Sequence, residues 1–211
     1  FKSLSDKIGK ERVIWRYDPI FINEKYSVSF HKDAFARIAF ELKDYTDRCI
    51  LEFIDCYSHI RSAIAKFNIN SLKNEAIEDM VSAFKEVASE VAIELNTCAT
   101  KIDLVHLGIP GGACIDRNLI ERITGYSISA RKDKSQRMFC NCIESLDIGM
   151  YNSCFNGCVY CYANRKCYDK IQRNGEKHDV NSPLLIGRVS DEDIIKDRTV
   201  RSFRIEQNSL F

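Results

Sequence analysis

Cys49-Ile50-Leu51-Glu52-Phe53-Ile54 is an apolar run broken by one charge. A run of this length and composition reads as a buried strand. Periodic stretches flank it on both sides. Upstream, Phe30, Ala34, Phe35, Ile38, Ala39 and Leu42 recur at helical spacing and predict a helix over 29–43, with Ser29 placed to cap its start. Before that, Arg12-Val-Ile-Trp-Arg-Tyr17 is β-branched and aromatic; it predicts a strand over 12–17 that Asp18-Pro19 closes. Downstream, a short helical stretch is expected around 60–67. Ile77, Met80, Val81, Phe84, Val87, Ala88, Val91 and Ala92 predict a longer helix over 72–93, with Glu75, Glu78, Lys85 and Glu90 on its other side. A short strand is expected near 95–99, then a loop through Gly108-Ile-Pro-Gly-Gly112. Asp116 and Gly125 are placed to cap and close a further helix.

Strand and helix therefore alternate, which argues for an α/β fold with helices packed on a parallel sheet. The form favoured is a partial (β/α)-barrel-like sheet, with an open α/β sheet as the alternative. Three strands do not close a barrel. Phe1, Leu4 and Ile8 fall at helical spacing before Gly9, so the chain opens as if in the middle of a fold, and a missing N-terminal segment is expected. Two regions are expected: an α/β barrel-like segment over 1–130, and a cysteine-rich, loop-rich region over 131–211 packed on it. Within the second, 173–182 reads as loop and 190–196 as a short capped helix.

Of the 211 residues, 45% are apolar and 29% charged, and the net charge is +1. That is ordinary for a soluble globular protein and gives no basic field for nucleic acid or an anionic membrane. No apolar run is long enough to span a bilayer, no signal peptide is evident, and a cytoplasmic location is expected.

Ten cysteines are many for this length, and six crowd into 140–167. Without a secretory signal, ligation is the better reading than a disulfide framework. Cys154, Cys158 and Cys161 stand at C-x3-C-x2-C, with Gly157 allowing a tight turn and Tyr160 just before the last cysteine. Three thiolates turned to one face suit a [4Fe–4S] cluster with one open iron. A zinc site is the competing reading, because Cys158 and Cys161 alone have C-x2-C spacing. Cys98, Cys114, Cys140 and Cys142 form a tentative second metal site. Alternatively, one of Cys140, Cys142 or Cys167 caps the open iron, or none of these has a metal role. Cys49 and Cys56 read as buried core thiols.

The loop Cys154–Ala163 resembles the cluster loop of radical S-adenosylmethionine (SAM) enzymes, in the variant seen in the spore photoproduct lyase group. That resemblance implies a [4Fe–4S] cluster with SAM on its open iron, Tyr160 near the adenine, and a radical-SAM-type enzyme acting on an unknown substrate. It also implies a reductant such as ferredoxin or flavodoxin as partner. A wider resemblance rests on Val13–Ile20, Thr97-Cys-Ala99, Ile102-Asp-Leu104, Cys114-Ile-Asp116 and Asp147–Ala163. These are similar to an uncharacterised bacterial family catalogued only as a domain of unknown function, noted for a radical-SAM-like cysteine cluster near its C-terminus. The alternatives are a non-catalytic iron–sulfur redox or electron-transfer protein, and a zinc-stabilised interaction module.

Arg16, Asp18 and Asp55 fall at the C-terminal ends of expected strands, where parallel sheets gather catalytic groups. Structural ion pairs or turns are the plainer reading of the same residues. Asp103 and Asp116 read as caps. His31, His59, His106 and His178 are scattered and show no ligand spacing. Gly111-Gly112 fits a plain turn.

Overall fold

The computed structural model describes residues 1–55, 57–70, 72–164 and 168–206. Cys56 and Cys167 lie outside the described residues. The chain divides into two compact units. The first comprises 1–54, 68–145 and the C-terminal segment from 203; the second comprises 55–67 and 146–202.

The first unit is a mixed α/β fold built on three parallel strands, β1 (Trp15–Ile20), β2 (Arg48–Phe53) and β3 (Glu94–Thr97), in the order β1-β2-β3. The register pairs Trp15 with Cys49, Tyr17 with Leu51, and Leu51 with Thr97. Among the described residues the sheet is small and open and does not close into a barrel. Helix α1 (Lys2–Ile8) ends at Gly9, whose φ is 92°. α2 (Val28–Leu42) crosses from β1 to β2, and α4 (Asn74–Glu90) leads into β3. The cap of α2 is Ser27, not Ser29: its hydroxyl accepts the Phe30 N–H at 3.1 Å. α5 (Arg117–Thr124) starts at Asp116, whose carboxylate accepts the Asn118 N–H, and ends at Gly125 in the left-handed region.

β1 runs three residues beyond its expected end at Tyr17. Pro19 is tolerated because β1 is an edge strand and its pairing with β2 shifts register between Tyr17 and Ile20.

Alternation along the strands sends successive side chains to opposite faces. Trp15, Tyr17, Cys49, Leu51, Phe53 and Leu95 face the core, together with Phe35 and Ala39 of α2 and Met80, Val81 and Phe84 of α4. Phe35 stacks on Phe84 at 4.2 Å between centroids and on Trp15 at 4.8 Å. Tyr17 meets both phenylalanines edge-on. Cys49 is the core thiol that was expected, fully buried, and desolvation pushes its ionisation far up.

His31 ties this core to the chain after β1. Its Nε2 lies 2.7 Å from the Phe21 carbonyl and donates to it, so Nδ1, 2.8 Å from the Tyr17 hydroxyl, accepts from that O–H. Burial lowers the pKa of His31, against the raising effect of the Phe21 carbonyl. The unfolded chain therefore binds a proton more readily than the folded one. The stability from a neutral His31 is complete above the unfolded value of about 6.5 and is lost as pH falls below it through the lowered folded value. The urea midpoint should thus drop between pH 7.5 and pH 5.5 in the native protein, and drop less in His31→Gln. Equal drops in the two proteins would show that His31 carries none of this acid sensitivity.

The second unit contains a 3-10 turn at Ser58–Ile60, α3 (Arg61–Lys66) and α6 (Tyr168–Glu176). α6 extends into the stretch expected as loop. The expected helix over 190–196 is a turn, in which the Asp193 carboxylate accepts from the Ser190 N–H and hydroxyl.

Candidate functional site

The sheet face opposite the core is polar. It carries Arg16 and Asp18 of β1, Arg48 and Glu52 of β2, Glu94 and Asn96 of β3, and then Cys98 just past the end of β3. The chain after β3 is laid against it. Thr97 bridges to Gly111, and Gly112 N–H donates to the Thr97 carbonyl at 2.7 Å. A side chain at 112 would bring its Cβ to 2.7 Å from the Asn96 Cβ, so only glycine lets the backbone close here. This docking brings Cys114 onto Cys98, with the two sulfurs 3.4 Å apart.

Arg16 is the charge partner of that thiol pair. Its Nη1 donates to Cys114 Sγ at 2.7 Å, and its other nitrogens hold Asp18 (3.1 and 3.3 Å) and Glu52. Glu52 also accepts from Arg137, which steadies the guanidinium of Arg16 from behind. Burial raises the pKa of Asp18, Glu52 adds to that, and Arg16 opposes both.

The two thiols ionise as a pair. Cys98 falls to about 6, first because the Cys114 S–H donates to it, with burial opposing and Arg16 assisting. Cys114 is raised, chiefly by the same hydrogen bond seen from the donor's side. In physical terms the first proton leaves the pair easily and the second is held, because a second charge would sit 3.4 Å from the first. Cys114 is exposed and Cys98 buried, so a reagent reaches the pair through Cys114.

Cys142 and Cys140 pack beside the pair, both buried, in a small cluster with Ala113. The sulfur of Cys142 accepts the backbone N–H groups of Cys114 and Ile115 at 3.2 and 3.3 Å, which fixes the turn that presents Cys114. Burial raises the pKa of Cys140. The four residues read from the sequence as a tentative second site are thus neighbours, joined by Arg16 and Asp18. Arg16 itself is the second residue of β1, near the strand's N-terminal end and not at the C-terminal end expected from the sequence.

A cavity of about 440 Å³ lies on the same polar face, lined by Arg48, Glu94, Asn96, Asp116, Arg117 and Lys132 among others. Sequence reasoning did not mark it. Arg48 and Asp116 form a 2.6 Å ion pair along its wall.

The remaining expected site residues fall in the second unit. Asp55 is exposed, as are Cys154, Cys158 and Tyr160, while Cys161 is half-buried. Cys158 and Cys161 share a turn closed by the Cys161 N–H on the Cys158 carbonyl, and both line a mainly apolar cavity of about 430 Å³ with Ile60, Phe67 and Ile171. His59 Nε2 lies 3.2 Å from the Cys161 carbonyl.

Several expectations are corrected here. Among the described residues, no group of three or more His, Cys, Asp or Glu side chains is placed to hold a metal ion. That overturns the [4Fe–4S] cluster on Cys154, Cys158 and Cys161. The radical-SAM-type activity and the SAM cofactor that depended on the cluster fall with it. Cys98, Cys114, Cys140 and Cys142 form no such group either. The spacing was suggestive, but spacing alone does not make thiols converge. Among the described residues, no helix is long and apolar enough to cross a membrane.

No curated protein and no solved structure matches the chain significantly. The family resemblance read from the sequence included a radical-SAM-like cysteine cluster, and that part does not stand. What does stand is membership without an assigned activity. A family profile matches residues 1–163, and the chain belongs to that family, described as Domain of unknown function (DUF1848).

Proposed function

We propose that the first unit is a thiol-based redox module in which Cys98 and Cys114 cycle between dithiol and disulfide. The observation that carries this reading is the 3.4 Å approach of the two sulfurs with the Arg16 guanidinium 2.7 Å from one of them. The thiolate is the reactive form of cysteine, and a cation beside it keeps that form populated near neutral pH. A second thiol in contact is what resolves a mixed disulfide. Asp18, Glu52 and Arg137 hold Arg16 in place, and Cys142 holds the turn at Cys114. Such a dithiol suits a reducing compartment such as the cytoplasm and a partner that exchanges electrons through thiols. The consecutive strand order, with α2 and α4 on one face, supports reading the sheet as a segment of barrel wall with this site on its other face.

The test is mild oxidation of the full chain with a small disulfide, followed by alkylation, digestion and mass spectrometry. A linked peptide pair containing Cys98 and Cys114 is expected to dominate, and reduction should restore both thiols. Bridging requires the sulfurs to close to about 2.05 Å, a short movement for two side chains already in contact. If oxidation links other cysteines and leaves this pair free, the reading is wrong.

A further inference from the structure

We propose that the cavity beside the thiol pair is the binding site for a small, carboxylate-bearing organic disulfide, the oxidant of the dithiol. This rests on the dithiol reading and adds the chemistry of its reaction partner. Position comes first. Glu94, Asn96 and Cys98 alternate along β3 and its extension, so the cavity walls formed by the first two lead directly to the third. Gly112 and Ala113 line the cavity, and the next residue is Cys114. A cavity of about 440 Å³ falls at the small end of the range for small-molecule sites.

Charge comes second. The named walls hold three cations, Arg48, Arg117 and Lys132, against two carboxylates, Glu94 and Asp116, which leaves one positive charge in excess. Arg48 is neutralised by Asp116. Arg117 donates to the Ala130 carbonyl and Lys132 to the Met138 carbonyl. Carbonyl partners leave both charges uncompensated among the described residues, and both side chains belong to exposed residues that a ligand can reach. Asn96 adds an unmet acceptor, because its Oδ1 is buried without a hydrogen-bond partner while its amide N–H donates to Glu94. A ligand with carboxylates and N–H donors answers these features, and a neutral or cationic one does not.

The chemistry balances without any further reactant. As the Cys114 proton passes across the hydrogen bond to Cys98, the Cys114 sulfur attacks one sulfur of R–S–S–R; the protein–S–S–R bond forms, the original S–S bond breaks, and RS⁻ leaves and takes up a proton from water. Cys98 then gives up its proton and attacks the sulfur of Cys114, forming the Cys98–Cys114 bond and expelling the second RS⁻. The monoanionic pair gives up two electrons and its one proton, water supplies the second proton, and the disulfide becomes two RSH.

The experiment compares three disulfides on the reduced full chain: oxidised glutathione (anionic), bis(2-hydroxyethyl) disulfide (neutral) and cystamine (cationic). Each rate of Cys98–Cys114 bond formation is divided by the rate of the same disulfide with free dithiothreitol, which removes intrinsic reactivity. The normalised rate with oxidised glutathione should exceed that with the neutral disulfide by about tenfold, as expected for a steered anion. Lys132→Gln should erase most of that preference, read as the ratio of the two normalised rates in the same variant. If the protein disulfide forms with all three at equal normalised rates, or if Lys132→Gln leaves the preference intact, the binding site is refuted and the dithiol stands. If none of the three yields the Cys98–Cys114 disulfide, the dithiol reading itself is refuted.

Discussion

Arg16→Met should move the pH midpoint of Cys98/Cys114 alkylation upward by about 1–2 units, the usual effect of removing an opposite charge in contact. In the native protein the pair starts from about 6, so its thiolate accumulates above that pH. The consequence for rate is not a simple loss, because a more basic thiolate is a better nucleophile. For a shift of about 2 units, the thiolate fraction at pH 6 falls from about one half to about one hundredth, while the Brønsted gain returns nearly tenfold. The net rate at pH 6 then drops about fivefold. At pH 8 the fraction falls only about twofold, so the variant reacts several times faster than the native protein. The two pH–rate curves must therefore cross. A merely unfolded variant is told apart by its modified sites, because it would alkylate every cysteine, the buried Cys49 included. Arg16→Lys keeps the charge but not the fork that spans Cys114, Asp18 and Glu52, and should lie between. Iodoacetamide kinetics from pH 5 to 9, with the modified cysteines identified by mass spectrometry, read all of this. An Arg16→Met curve superimposable on the native one would show that the guanidinium does not tune the thiols. The hydrogen bond from Cys114 would then account for the lowered value alone.

Periodicity made most of the first unit legible. The stripes over 30–42 and 77–92 are the core faces of α2 and α4, and the run 49–54 is β2 displaced by one residue. What escaped has physical reasons. Pro19 ordinarily ends a strand, but on an edge strand at a register shift its missing N–H costs little. α6 buries only Ile171, so its sequence has almost no apolar stripe to detect. Ser190 and Asp193 are good capping residues, but they close a turn on themselves with no helix behind them. The functional site was half legible. Arg16, Asp18, Cys98, Cys114, Cys140 and Cys142 were all singled out, but as two separate sets with different roles. Nothing local tells that residue 16 meets residue 114, because that contact exists only once β1 and the chain after β3 share a sheet face. The C-x3-C-x2-C spacing drew attention to another set of thiols. The reactive pair, separated by sixteen positions, has no spacing signature at all.

Phe84→Ala should cost about 3–5 kcal/mol, the range for deleting a large buried aromatic whose surroundings relax only partly. Phe84 is fully buried on α4 and is the ring on which the layers meet. It stacks on Phe35 of α2 at 4.2 Å and receives the edge of Tyr17 from β1 at 5.4 Å. Removing it leaves a cavity between two helices and the sheet, and removes two aromatic contacts that add to the burial itself. Domains of this kind hold about 5–15 kcal/mol in all, so the loss takes a large share of the margin. Phe84→Leu, which keeps most of the volume, should cost less. Phe40→Ala is the control, because Phe40 also lies on a core helix but is 45% exposed, and its loss should stay within about 0.5 kcal/mol. Urea unfolding followed by tryptophan fluorescence suits the comparison. Trp15 is the chain's single tryptophan, is 6% exposed, and stacks on Phe35 at the far side of the same aromatic layer. It therefore reports the packing that Phe84 maintains. The effect also reaches the thiol site. β1 carries Trp15 and Tyr17 on the core side and Arg16 on the other, so loosening the aromatic layer frees the strand that aims the guanidinium. Phe84→Ala should for that reason also blur the alkylation midpoint, whereas Phe40→Ala should leave it sharp. Equal urea midpoints for the Phe84 and Phe40 variants would mean that this aromatic layer does not hold the sheet to its helices.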